Sequence, residues 1–166
     1  MLFISGHGVS DERGRFYFLP QDAAFQADGT LRPSRTISND ELMRIRDMPG
    51  QKLVFIDSCY SEGVAGKRVR AGDNAQLVNG LQDAGMIIFT SSGANERSWE
   101  DDDLRYSLFS HAVIQGLAGG ADANRDGRVT LPEFEAYVKK TVAARKPGQH
   151  PYLWTRGDYR DFVLSE

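Results

Sequence analysis

Cysteine is nearly absent from this chain: Cys59 is the one cysteine in 166 residues. That excludes an internal disulfide framework and any zinc site built from several thiolates. Long apolar runs are missing as well. None approaches the ~20 residues that a membrane-spanning helix needs, so no membrane role is expected. Neither sign of charge is in large excess: 20 Lys and Arg against 23 Asp and Glu leave a net charge of −3. A weakly acidic balance argues against a nucleic-acid partner. The opening Met1-Leu2-Phe3-Ile4 lacks the length and basic leader of a secretory signal. A lone thiol is compatible with a reducing compartment, which favours the cytoplasm without fixing the location. What is present, 40% hydrophobic and 26% charged residues, suits a globular domain with one real core.

Three apolar segments read as strands: residues 1–5, 52–57 and 86–90. The second is apolar without a break from Leu53 to Ile56, as in a strand covered on both faces of a parallel sheet. Arg15-Phe16-Tyr17-Phe18-Leu19 reads as a short strand within an irregular stretch from 9 to 36. Ser38 is the expected N-cap of a helix, with Glu41 as its capping-box partner. Leu42, Ile45 and Met48 recur at helical spacing, and Pro49-Gly50 ends the pattern. Residues 60–80 read as one long loop carrying four glycines and the basic cluster Lys67, Arg68 and Arg70. A further helix is expected from Tyr106 to Leu117, and a last one over 131–144 with Phe134, Tyr137, Val138 and Val142 inward. Tyr152-Leu153-Trp154 and Phe162-Val163-Leu164 offer one or two short closing strands. Strands alternating with helices make the chain α/β.

The first two strands carry the residues with chemistry. One runs into Gly6-His7-Gly8 and the other into Asp57-Ser58-Cys59. In parallel α/β sheets the C-terminal ends of the strands are where ligands bind. A thiol becomes a strong nucleophile near neutral pH when a neighbouring imidazole takes its proton. Gly6 and Gly8 leave room beside His7 for a substrate backbone. The backbone N–H groups of Gly8 and Cys59 are candidates for an oxyanion hole. Taken singly, a buried inert cysteine and a structural histidine are the commoner occurrence. Their shared placement at two strand ends favours a pair.

These segments resemble those of the caspase-like cysteine peptidases, the group of caspases, metacaspases and paracaspases. Ser5-Gly6-His7-Gly8 is similar to the family's Ser-Gly-His-Gly motif. Asp57-Ser58-Cys59-Tyr60-Ser61 is similar to Asp-x-Cys-x-Ser-Gly of metacaspases and bacterial relatives, except that Glu62 stands before Gly63. His7 lies 52 positions before Cys59, similar to the family's spacing of roughly 50. Strand 86–90, Ser91-Ser92, the acidic stretch, Tyr106-Ser107-Leu108-Phe109 and Gln149-His150-Pro151 extend the likeness to about Tyr152.

The resemblance implies a caspase-like three-layer sandwich around a mostly parallel sheet. It implies one catalytic domain over residues 1–166, partial because the family's first strand–helix–strand unit is absent before His7. A missing N-terminal segment or a partner chain is then expected to cover the sheet face and edge left bare. It implies a cysteine endopeptidase acting on peptides or proteins with no cofactor for the chemistry. Cys59 would attack the scissile carbonyl as thiolate, and His7 would take the proton and return it to the leaving amine.

Asp57 lies two positions before Cys59, on the same side of a strand. In metacaspase-like proteins the Asp at this place lines an acidic pocket for Arg or Lys. The resemblance therefore implies cleavage after basic residues, with Asp101 of the acidic stretch Glu100-Asp101-Asp102-Asp103 adding negative potential. A solvated charge run is the plainer reading of that stretch. Basic specificity would make Arg68 and Arg70 candidates for self-cleavage.

Residues 122–133 match the EF-hand pattern. Ligand oxygens for calcium would come from Asp122, Asn124, Asp126, the Arg128 carbonyl, Thr130 and Glu133, around a sharp turn at Gly127. The competing account is a turn followed by a capping box formed by Thr130 and Glu133. Two other readings of the whole chain stand beside the peptidase. One is a catalytically silent caspase-like module for interaction or calcium sensing. The other is a Cys/His enzyme of different acyl chemistry.

Overall fold

A computed structural model describes residues 1–60, 70–71, 75–92 and 106–166. The apolar segments form the centre of a mixed sheet. Strands β1 (Leu2–Ser10), β2 (Phe16–Leu19), β3 (Ile37–Ser38), β4 (Leu53–Tyr60), β5 (Arg70–Ala71), β6 (Ile87–Thr90) and β8 (Tyr152–Trp154) belong to it. Their order is β3-β2-β1-β4-β6-β8, with β5 pairing the end of β1. The neighbours β1, β4 and β6 run parallel. The strands on either flank are antiparallel to their neighbours. Strands β7 (Val129–Thr130) and β9 (Val163–Ser165) form a separate antiparallel pair.

Alternation along β4 divides the core into two layers, because successive strand residues face opposite sides. Leu53 and Phe55 join Ile87 and Phe89 under α3 (Leu108–Gln115) and α4 (Leu131–Arg145). Phe134 of α4 sits edge-on to Phe55 and Phe89, with ring centroids 5.8 and 5.9 Å away. Val54 and Ile56 join Ile88 under α1 (Asn39–Met43) and α2 (Ala75–Asp83). Helices on both faces of the sheet make the three layers of a caspase-like sandwich. Coverage thins at β1, where Phe3 touches Phe55 at 5.8 Å between ring centroids yet is 41% exposed.

Local signals set the helix starts. Ser38 Oγ accepts from the Glu41 N–H, and the Glu41 carboxylate accepts from the Ser38 N–H at 2.8 Å, closing the capping box. Hydrogen bonds from the Ser38 backbone and hydroxyl hold the Glu41 carboxyl below its ordinary range. Thr130 and Glu133 repeat the device at α4.

The structure departs from the sequence reading in several places, among them β1, which runs past the expected 1–5 to Ser10 and so contains His7. α1 ends at Met43 and gives way to a 3-10 turn, Arg44–Asp47, rather than running to Pro49. Residues 75–83, of which 75–80 are expected as loop, form α2, whose Leu77, Val78 and Leu81 are buried against the sheet. β4 runs to Tyr60, so Cys59 lies within the strand rather than after it.

Candidate active site

The parallel pairing of β1 with β4 places His7 opposite Cys59 in register, with Ser5 opposite Asp57 and Gly8 opposite Tyr60. Neighbouring strands lie about 4.8 Å apart, so the two positions adjoin on the sheet. Both stand near the C-terminal ends of their strands. The third parallel strand, β6, ends at Thr90 on the same rim. His7 is exposed. Ser91 extends the pairing past β6, its N–H donating to the Ile56 carbonyl at 2.9 Å.

The glycines before and after His7 have separate causes. Gly6 adopts φ 153°, which side-chain-bearing residues rarely take. Gly8 lies beneath the Phe16 ring, and a Cβ there would stand 2.5 Å from two ring carbons. Gly8 is buried, and its strand partners are Phe18 of β2 and Tyr60 of β4. Its N–H can polarise a carbonyl only to the extent that the sheet ladder leaves it free.

Asp57 is 2% exposed. A buried carboxylate needs donors, and α3 supplies two of them. The Ser110 hydroxyl donates to Asp57 Oδ2 at 2.6 Å, and the Ser107 hydroxyl donates to the same oxygen. Ser107 is also the N-cap of α3, its Oγ accepting from the Ser110 N–H at 3.0 Å. The Phe3–Phe55 contact fixes which face positions 3 and 55 share. By alternation Ser5, His7 and Asp57 lie on that same face, the side of α3 and α4.

The rim at β6 is lined by buried polar residues. Thr90 Oγ1 donates to the Ser92 carbonyl at 3.0 Å and to the Tyr152 carbonyl at 3.3 Å. Gln149, wholly buried, donates through Nε2 to the Ser91 carbonyl at 2.9 Å. Sequence reasoning assigned no role to Ser107, Ser110 or Gln149. The one signal for the serines was a hydroxyl at an N-cap followed by another three positions later.

Asp101 and Arg68 lie outside the described residues. Arg70 is in β5, opposite Ser10. In the 122–133 loop, oxygens turn onto the loop's own backbone. Asp122 accepts from the N–H groups of Asp126 (3.2 Å) and Gly127 (3.0 Å), Asn124 from Asp126 (2.8 Å), and Asp126 from Arg128 (2.9 Å). Glu133 accepts from the Thr130 N–H and hydroxyl at 3.0 and 2.7 Å. These bonds hold its carboxyl below the ordinary range, the Thr130 hydroxyl contributing most. Among the described residues no group of three or more His, Cys, Asp or Glu side chains is arranged to hold a metal ion. In this conformation Asp122, Asp126 and Glu133 accept from the loop's own donors and from the α4 cap. No step of the chemistry is drawn through calcium. Among the described residues no helix is long and apolar enough to cross a membrane.

Comparison with known families adds one match: the family model of the caspase domain, a peptidase family, aligns with residues 1–162. No curated protein matches the chain.

Proposed function

The chain belongs to the caspase-domain family of cysteine peptidases, and from that premise we propose that it hydrolyses peptide bonds after Arg or Lys through a dyad of Cys59 and His7. The observation that carries this reading is the register of His7 against Cys59 on adjoining parallel strands. In this reading the imidazole takes the thiol proton, and the thiolate attacks the scissile carbonyl. The imidazolium then protonates the departing amine, and water releases the acyl group by the reverse sequence. Backbone N–H groups at Gly8 and Cys59 are the proposed donors to the oxyanion.

Basic preference is supported by Asp57, a carboxylate two positions before the nucleophile on the face that carries His7. A cationic side chain entering beside it gains a charge-assisted partner where an acidic one meets repulsion.

Fluorogenic peptides differing only at the residue before the cut, with Arg, Lys, Asp or Leu, test the reading. Turnover is expected after Arg and Lys, with kcat/KM lowered at least about 100-fold in Cys59→Ala and in His7→Ala. Cleavage after Asp, or turnover that survives Cys59→Ala, would overturn it. Binding of the basic peptides without turnover would return the chain to a silent interaction module.

A further inference from the structure

Asp57 joins two parts of the fold that are far apart in sequence. Its Oδ2 receives the hydroxyls of Ser107 and Ser110, 50 and 53 residues further on. Asp57 and Ser110 are 2% and 5% exposed, so their bond lies away from bulk water and its competition, while the Ser107 bond is part-buried. The Ser107 hydroxyl works in two directions, giving its proton to Asp57 while accepting the Ser110 N–H of the first turn of α3. One hydroxyl with one proton can do both in a single orientation only. The carboxylate is thereby aimed by the start of α3, whose dipole favours a negative group there.

From this arrangement we infer that Ser107 and Ser110 are positioning residues for substrate specificity: they hold Asp57 so that it distinguishes a cationic side chain from a neutral one of the same shape. The inference deepens the basic-residue reading above and rests on it. α3 is packed against α4 and the sheet through Leu108, Phe109, Ala112 and Val113, all buried. Its N-terminus is therefore a fixed support, and a carboxylate tied to it cannot swing to suit a neutral side chain. The proposed chemistry gives neither serine a part in bond cleavage. Their effect is expected in selectivity for charge rather than in the chemical step.

The test is binding to the Cys59→Ala protein, which cannot turn over. Two N-acylated peptide amides are compared by calorimetry, one ending in Arg and one in citrulline, the neutral isostere. The parent is expected to prefer Arg by at least about tenfold. Ser110→Ala or Ser107→Gly should reduce that preference roughly fivefold or more, mostly by weakening the Arg peptide. Glycine is a tolerable N-cap, so Ser107→Gly removes the hydroxyl at little cost to the helix. Ser107→Thr keeps the hydroxyl and should keep the preference. An unchanged Arg-to-citrulline ratio in folded Ser110→Ala and Ser107→Gly, with a preference present in the parent, overturns the inference and leaves the basic reading intact. A parent that does not prefer Arg overturns both.

Discussion

At the scale of single residues, the site depends on what is small. Gly8 follows the candidate base and lies under Phe16, a ring that is 1% exposed and packed edge-on to Phe18 at 5.7 Å. An added methyl must displace the strand, the ring or both. Gly8→Ala is expected to cost about 1–3 kcal/mol of stability, read from urea denaturation midpoints at constant m. It should also lower turnover, because β1 carries His7 one position earlier. An unchanged midpoint would mean that Phe16 yields without cost. The neighbouring Asp57 shows the opposite case, a polar residue that the interior accepts because α3 offers it hydroxyl donors.

At the scale of elements, short-range devices were legible in the sequence and long-range ones were not. Both capping boxes, Ser38 with Glu41 and Thr130 with Glu133, are written within four residues and form as read. α2 escaped because Gly72 and Gly80 suggest a loop. Its apolar residues, Leu77, Val78 and Leu81, acquire meaning only against the sheet face they cover. β4 extends through polar Asp57 and Ser58 because the ladder to β1 continues as far as Gly8 and Tyr60, a pairing no local pattern records. The partners of Asp57 were hidden for the same reason. The loop ahead of α4 has the EF-hand spacing, and its oxygens accept from its own N–H groups and from the α4 cap. It is expected to act as a turn that orients α4. Millimolar Ca²⁺ should leave the melting midpoint in place, as followed by circular dichroism. A saturable rise that disappears in Asp126→Ala would contradict this and return the loop to a cation site.

At the scale of the whole molecule, a parallel sheet does what a short segment cannot: it sets a residue near the start of the chain beside one more than fifty positions later. Helices on both faces fix β4 and β6, and the rim they share is braced by Ser91, Thr90 and Gln149. The register of β1 on β4 is therefore the central claim, since a slip of one residue would turn His7 to the other face. Because Cys59 is the one thiol, alkylation reports on it alone. The most direct measurement is the pH dependence of iodoacetamide alkylation in the wild-type protein and in His7→Ala. The account predicts a wild-type profile with its half-maximum below the ordinary thiol value of about 8.5, moving up toward that value in His7→Ala. Identical profiles in the two proteins, both at the ordinary thiol value, would contradict it.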